Sequence, residues 1–358
     1  MAGGTVMLFK RYLTIVILVL FLLIHAGCSD KNSCKDSCGT PSDWGKVTKS
    51  QENEQIIPKV KNPLTGTDMD IQHEKQRPLA VMIENEYNAR PQSGLDKAGV
   101  VYEVLTEGGI TRFLALFLGE TVDEIGPVRS ARPYFLDYAM EYDSIYIHYG
   151  ASPQGYIDLK KLNIDAINGI YDDVTFWRDR SRKEPHNAYT NTKNILKTSE
   201  KKGFIRDIEL TLWNFNSEET PAGNQVLEEF ELEYFKNYVV SYTYDKDKKM
   251  YKRYINGEPH TDKKTGEQIL VKNIILQFAV TKVVDDVGRL SIKTVDSGKG
   301  YYISNGYCSK IKWRRDDRKE RTSYTFEDDT ELVVNPGNTW IQILPQWGKF
   351  NYDKPTKG

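Results

Sequence analysis

Cysteine and histidine are scarce in this sequence, with 4 Cys and 5 His in 358 residues. Cys28, Cys34 and Cys38 crowd the start of the chain and Cys308 stands alone, so no disulfide framework is indicated. The C-K-D-S-C stretch from Cys34 to Cys38 has no histidine beside it, which makes it a poor metal site. No metal and no cofactor are expected, and the redox state of Cys34, Cys38 and Cys308 is left open. Charge of one sign is not in surplus either: 49 Lys+Arg face 50 Asp+Glu. That balance removes the electrostatic case for nucleic acid as a partner. Long apolar runs are also missing after the first 24 residues. The one at Tyr12 to Ile24, about 13 residues, is too short for a helix to cross a hydrocarbon core of roughly 30 Å.

What the opening does contain is the layout of an export signal. Lys10 and Arg11 precede the apolar run, and the small pair Ala26-Gly27 abuts Cys28. This reads as a lipobox, with cleavage before Cys28 and a diacylglyceryl group, joined by a further acyl chain such as palmitate, on its thiol. His25 departs from the pattern, since an aliphatic residue usually stands there. The competing reading is an uncleaved N-terminal anchor. Both place the remainder on the extracytoplasmic face of a cell membrane, and the first makes that membrane a partner through lipid on Cys28. Removing residues 1–27 takes Lys10 and Arg11 and no acid from the 49 against 50, so the mature chain stays near neutral.

Residues 28–76 are polar and broken by Gly, Pro, Asn and Lys, and they read as a flexible tether with a reach of about 35–40 Å. The mature length of about 330 residues predicts two domains. In 77–205, strand-like runs at Leu79 to Ile83, Val100 to Thr106, Thr111 to Leu118 and Ser144 to His148 alternate with helical spacing at Pro133 to Tyr142, Gln154 to Leu162 and Asn191 to Lys202. Gly108-Gly109 marks a hairpin, and Ser152-Pro153 a helix start. A linker over 206–228 leads to 229–350, which reads as nearly all β. Runs such as Glu231 to Tyr244, Asn273 to Val284, Arg289 to Val295 and Thr339 to Leu344 are separated by turns at Asn256-Gly257, Gly288 and Pro336-Gly337. The fold class is α+β: an N-terminal mixed α/β layered domain followed by a mainly antiparallel β domain, a sandwich or a barrel.

The polar residues at the ends of the N-terminal elements are candidates for chemistry. Arg129 and Arg132 lie three apart at a helix start, Arg112 ends the Gly-Gly hairpin, and Arg178 precedes His186. Guanidinium forks bind phosphate and carboxylate bidentately, and free N–H groups at a helix start add to that. If these arginines converge they form an anion site. If each instead pairs with Glu84, Glu103, Glu107 or Asp137, they staple loops. Glu103 and Glu107, if on one strand, share a face by period-two alternation and with a histidine could do acid–base work on a glycan. His148 and His186 lack a third ligand for zinc and read as ordinary hydrogen-bonded histidines. Ser130 has neither the G-x-S-x-G setting nor a local base.

These pieces, in this order, resemble the YerB-like lipoprotein family defined by the DUF3048 domain. The matching stretches are ARPQSGL (Ala89 to Leu95), VVYEVLTEGGITRFLALF (Val100 to Phe117), GPVRSARPYFLDYA (Gly126 to Ala139), HYGASP (His148 to Pro153) and PHNAYTN (Pro185 to Asn191). Asn273-Ile-Ile, Gly298-Lys-Gly300, Trp313 and Gly337-Asn-Thr-Trp340 match its C-terminal part. The resemblance implies a membrane-attached lipoprotein with two folded domains, and no particular reaction.

Two functions fit. One is a cell-envelope binding or scaffold lipoprotein, docking an envelope protein or an anionic envelope ligand at the rim formed by Arg112, Arg129, Arg132, His148, Arg178, His186, Glu103 and Glu107. The other is an enzyme acting on phosphorylated or glycan envelope material through the same cluster. The binding reading is preferred because no complete catalytic constellation can be assembled; whether there is catalysis is left open.

Overall fold

The computed structural model describes residues 57–210 and 213–352. The proposed signal, Cys28, Cys34, Cys38 and most of the tether lie outside them. Residues 57–76 are folded rather than tethered: Lys59–Lys61 pairs antiparallel with Asp68–Asp70. Leu64 and Met69 are buried, and Asn62 Nδ2 donates to Leu118 O. Two apolar residues and a capped turn suffice to pin this segment where polar composition alone suggested freedom.

In the first half the strands are β1 (Leu79–Glu84), β2 (Val100–Leu105), β3 (Thr111–Phe117), β4 (Ile145–His148) and β5 (Ala166–Asn168). The helices are α1 (Pro133–Met140), α2 (Pro153–Lys161) and α3 (Thr192–Lys201). Gly108 and Gly109 turn the β2–β3 hairpin with φ of 79° and 70°, a region that glycine enters without steric cost. Ser152 caps α2, its side chain accepting from Gly155 N–H.

The second half supplies β6 (Gln225–Val226), β7 (Glu229–Phe235), β8 (Tyr238–Asp245), β9 (Met250–Ile255), β10 (Glu258–Pro259) and β11 (Leu270–Val271). Then follow β12 (Asn273–Ala279), β13 (Thr281–Val283), β14 (Leu290–Ile292), β15 (Asp296–Ser304), β16 (Tyr307–Arg315), β17 (Ser323–Phe326), β18 (Thr339–Pro345) and β19 (Lys349–Asn351). The single run read at Glu231 to Tyr244 is two strands, turned back at Lys236-Asn237. The run Asn273 to Val284 also breaks, at Val280, where the chain leaves the main sheet.

Both halves build one 11-stranded sheet, in the order β6-β16-β15-β12-β18-β2-β3-β1-β4-β5, with β17 beside β16. The junction is β18 against β2, in parallel register from Thr339↔Val100 to Ile343↔Val104. Because β18 is also parallel to β12, the second half is not purely antiparallel. Segments 77–205 and 229–350 therefore share a sheet and its two cores. The intervening residues 206–228 are stitched in as well, Asn214–Phe215 pairing with Val333–Val334 and β6 with β16.

Central strands β1, β2 and β3 are buried along their whole length, as near-continuous apolar sequences become when both faces of a sheet are covered. Alternation sends Ala80, Met82, Tyr102 and Leu114 to one face, under α1. Val81, Val101, Phe113 and Ala115 go to the other, under a six-stranded sheet ordered β10-β9-β8-β7-β19 with β11 beside β9.

Candidate functional site

The sequence of β1 runs apolar until Glu84, and the register places Glu84 opposite Arg112, the second residue of the antiparallel β3. His148 closes β4, parallel to β1. Three charged or titratable side chains thus come to one end of the sheet, the carboxyl end of β1 and β4, where open α/β sheets commonly hold ligands. The loop from Gly126 to Arg132 is laid across this end. Arg129 N–H donates to Met82 O at 2.9 Å, Tyr149 N–H to Arg129 O at 3.0 Å, and Ala131 N–H to Gly150 O at 2.9 Å. These backbone bonds help to fix where Arg129, Ser130 and Arg132 stand.

One carboxylate serves two arginines. Glu107 Oε1 accepts from Arg112 Nη2 at 3.2 Å and also from Arg132 Nη2, and Glu107 Oε2 accepts from Arg132 Nε at 3.1 Å. Burial alone would raise the Glu107 carboxyl, but the Arg132 hydrogen bond and the Arg112 and Arg132 charges outweigh it and hold the group at about 2. Burial, with the Arg132 charge beside it, draws the Arg112 guanidinium down to about 10, still cationic at neutral pH. Arg112 Nη1 donates to Ser130 O at 2.9 Å, while its buried Nε makes no hydrogen bond.

Glu84 faces Arg129 and His186. Arg129 Nε stands 3.0 Å from Glu84 Oε1 and His186 Nδ1 3.1 Å from Glu84 Oε2. These are ion-pair distances without hydrogen-bond angles, so Glu84 Oε2, Arg129 Nε and His186 Nδ1 remain buried and unsatisfied. His148 Nδ1 bonds Gly150 O at 2.8 Å, and burial lowers its imidazole to about 4. Arg178 lies 4.6 Å over the Tyr149 ring and donates to Asn187 Oδ1 and Tyr149 OH at 2.7 and 3.0 Å.

The structure brings Arg112, Arg129, Arg132, His148, His186 and Glu107 to one region, with Arg178 tied to its margin through Tyr149. Glu103 is not among them. Strand β2 ends at Leu105, so period-two alternation does not carry from Glu103 to Glu107. Glu107 turns toward Arg112 and Arg132. Glu103 points to the opposite face of the sheet, accepting from Arg253 Nη2, Thr111 Oγ1 and Tyr238 OH at 2.9, 2.8 and 2.6 Å. Sequence reading named Glu84 as a possible partner of these arginines, and Arg129 stands against it, but it missed Arg253 as the partner of Glu103. Both Glu84 and Arg253 carried a signal: Glu84 ends an otherwise apolar strand, and Arg253 occupies a core-facing position in the alternation of β9.

Beside this rim lies a groove of about 700 Å³, within the roughly 300–1,000 Å³ range of small-ligand sites. Arg132 stands at both, and Pro133, Tyr134 and Ile157 of α1 and α2 face Leu290 and Ile292 of β14 across the groove. Arg318 closes part of its wall, reaching Asp137 and Asp158 at 2.6 and 2.8 Å. No cluster of three or more metal-ligating side chains occurs among the described residues.

Comparison with known proteins agrees with this architecture. The model of the N-terminal domain of DUF3048, a protein family of unknown function, matches residues 64–205, and that of its C-terminal domain matches 230–341. YerB of Bacillus subtilis (strain 168), whose name carries the lipoprotein designation, is 33% identical over 340 residues, spanning 94% of this chain and 96% of that protein. The crystal structure of YerB from Bacillus subtilis aligns with a TM-score of 0.75 at 35% identity, covering 82% of this chain and 99% of that one. The chain belongs to the DUF3048 family, with the family's N-terminal and C-terminal domains both present.

Proposed function

We propose that this protein is an extracytoplasmic lipoprotein, anchored to the cell membrane through Cys28, that binds a cell-envelope partner or an anionic envelope ligand at its arginine-rich rim. The observation that carries the binding reading is the sharing of Glu107 by Arg112 and Arg132. Two largely buried guanidiniums against one carboxylate leave positive charge at a sheet end suited to ligands. The enzymatic alternative, action on phosphorylated or glycan envelope material, requires a group that exchanges protons near neutral pH. Glu107 at about 2 and His148 at about 4 are poorly matched to that task.

The anchor is supported by the export signal and by the name of the Bacillus relative. Replacing Cys28→Ala is expected to move the protein from the membrane fraction to the soluble one, because the lipid supplies nearly all the membrane affinity. A variant that still sediments with membranes and retains residues 1–27 supports the uncleaved anchor instead. For the rim, inorganic phosphate and pyrophosphate are titrated into the detergent-solubilised protein. The double variant Arg129→Ala, Arg132→Ala is expected to lose the binding while remaining folded by circular dichroism. Absence of binding by the unaltered protein, together with unfolding of the double variant, makes the arginines structural.

A further inference from the structure

Strands β13 and β14 form a two-stranded hairpin that leaves the main sheet. Val284 N–H donates to Arg289 O at 2.8 Å and Lys293 N–H to Val280 O at 2.9 Å. With Lys282 opposite Ser291, every second pair of this antiparallel ladder is the hydrogen-bonded one. The backbone N–H and C=O groups of Leu290 and Ile292 therefore point away from β13. The outer edge of β13 is capped: Gln346 accepts from Thr281 N–H at 2.6 Å and donates to Thr281 O at 3.1 Å. The outer edge of β14 makes no backbone hydrogen bond among the described residues.

That open edge faces the 700 Å³ groove. All residues from Arg289 to Val295 line it consecutively. A strand seen from its face would offer alternate residues only, so the groove sees the edge. Opposite are the apolar side chains of α1 and α2, among them the exposed Ile157. The charges are complementary to an acid. The groove lining holds Arg132, Arg289, Lys293 and Arg318 against Asp137, Asp158 and Asp285, a surplus of one positive charge.

We propose that this groove binds an extended, carboxylate-bearing peptide segment of a partner protein, which adds to β14 as a third strand. Main-chain hydrogen bonds to Leu290 and Ile292 supply the pairing, Ile157 and Pro133 receive alternate apolar side chains, and Arg132 receives the carboxylate. An uncovered edge strand is a standing liability for a secreted protein, and a resident strand removes it. The groove reading rests on the binding function proposed above but fails separately from it, since phosphate binding on the same sample reports the rim.

The test uses the full detergent-solubilised chain and a dye-labelled ten-residue peptide of alternating Val and Thr, with lysine at its start and a free carboxylate at its end. Fluorescence anisotropy is expected to show saturable binding, weakened at least tenfold by Ile157→Asp and by amidation of the peptide carboxylate. Successive amides of a strand point to opposite edges. N-methylation of the Val amides in one peptide and of the Thr amides in another is therefore expected to weaken only one of the two. Hydrogen exchange at residues 289–293 is expected to slow on peptide addition. No binding of the parent peptide, or equal affinities of the two methylated peptides, overturns the proposal.

Discussion

Glu103 and Arg253, 150 positions apart in the chain, form an ion pair with both side chains entirely out of solvent. Arg253 Nη2 donates to Glu103 Oε2 at 2.9 Å, Nη1 to Tyr242 OH at 3.0 Å, and Nε to His260 Nδ1 at 3.0 Å. Since Nδ1 of His260 accepts, its proton sits on Nε2, which donates to Gln92 Oε1 at 2.9 Å. The guanidinium also lies 4.6 Å over the Trp340 ring. A chain of satisfied polar groups thus runs between the sheet's first-half strands and the smaller sheet.

Removing one member of a buried pair strands the other without solvent, at a cost of about 3–5 kcal/mol, whereas replacing both by apolar side chains is often neutral. Arg253→Leu and Glu103→Leu are each expected to lower stability by about that amount in urea unfolding. The double variant is expected to lose much less than the sum of the two single losses. Additive losses would mean that the two groups are not coupled.

Limited proteolysis is expected to cut between Gly203 and Gln225, at the boundary proposed between the two domains. The β2–β18 pairing and the Glu103–Arg253 contact span that cut. The two fragments are therefore expected to co-elute on gel filtration under native conditions and to separate only in denaturant. Fragments that part without denaturant would show the shared sheet to be weak.

Acid is expected to destabilise the fold in two steps. His148, lowered to about 4 by burial, stays neutral in the fold while the unfolded chain takes up a proton near 6.5, so stability falls between about pH 6.5 and 4. Glu107, depressed to about 2, contributes stability above its ordinary value near 4.5 and loses it as the pH falls toward 2. Thermal melts across pH should show His148→Gln flattening the upper window and Glu107→Gln the lower one. Unchanged profiles would remove both assignments.

Lysine at positions 129 and 132 is expected to rescue phosphate binding poorly. A point charge lacks the two-pronged fork, and Arg132 uses Nε and Nη2 together on Glu107. Full rescue would reduce the rim to unspecific positive charge.

Much of this was legible in the residues. The β2–β3 hairpin at Gly108-Gly109, the Ser152 cap and the three helices follow from local chemistry, and the structure has them within two residues of the expected bounds. Convergence of the arginines and their pairing with acids were legible only as alternatives, since a strand end says that a side chain reaches a rim but not which neighbour it meets. Both occur: Arg112 and Arg132 share Glu107, and Arg129 faces Glu84. The pairing of β18 with β2 was not legible: an apolar run carries no mark of its partner, and these two lie some 240 residues apart. Nor was the folded state of residues 57–76, where Leu64 and Met69 find burial only against a sheet already in place.

The position of β18 has a bearing on the order in which the chain can assemble. Residues Thr339–Pro345 are nearly the last of the described chain, yet they occupy the middle of the largest sheet, between β12 and β2. Until they arrive, β2 keeps one raw edge, and the sheet exists as two incomplete pieces. A chain delivered from its N-terminus cannot close its centre early. Its folding waits for this segment, with the slow closure that long-range parallel pairing imposes. A truncation just before Thr339 would leave a gap at the keystone, not a frayed tail.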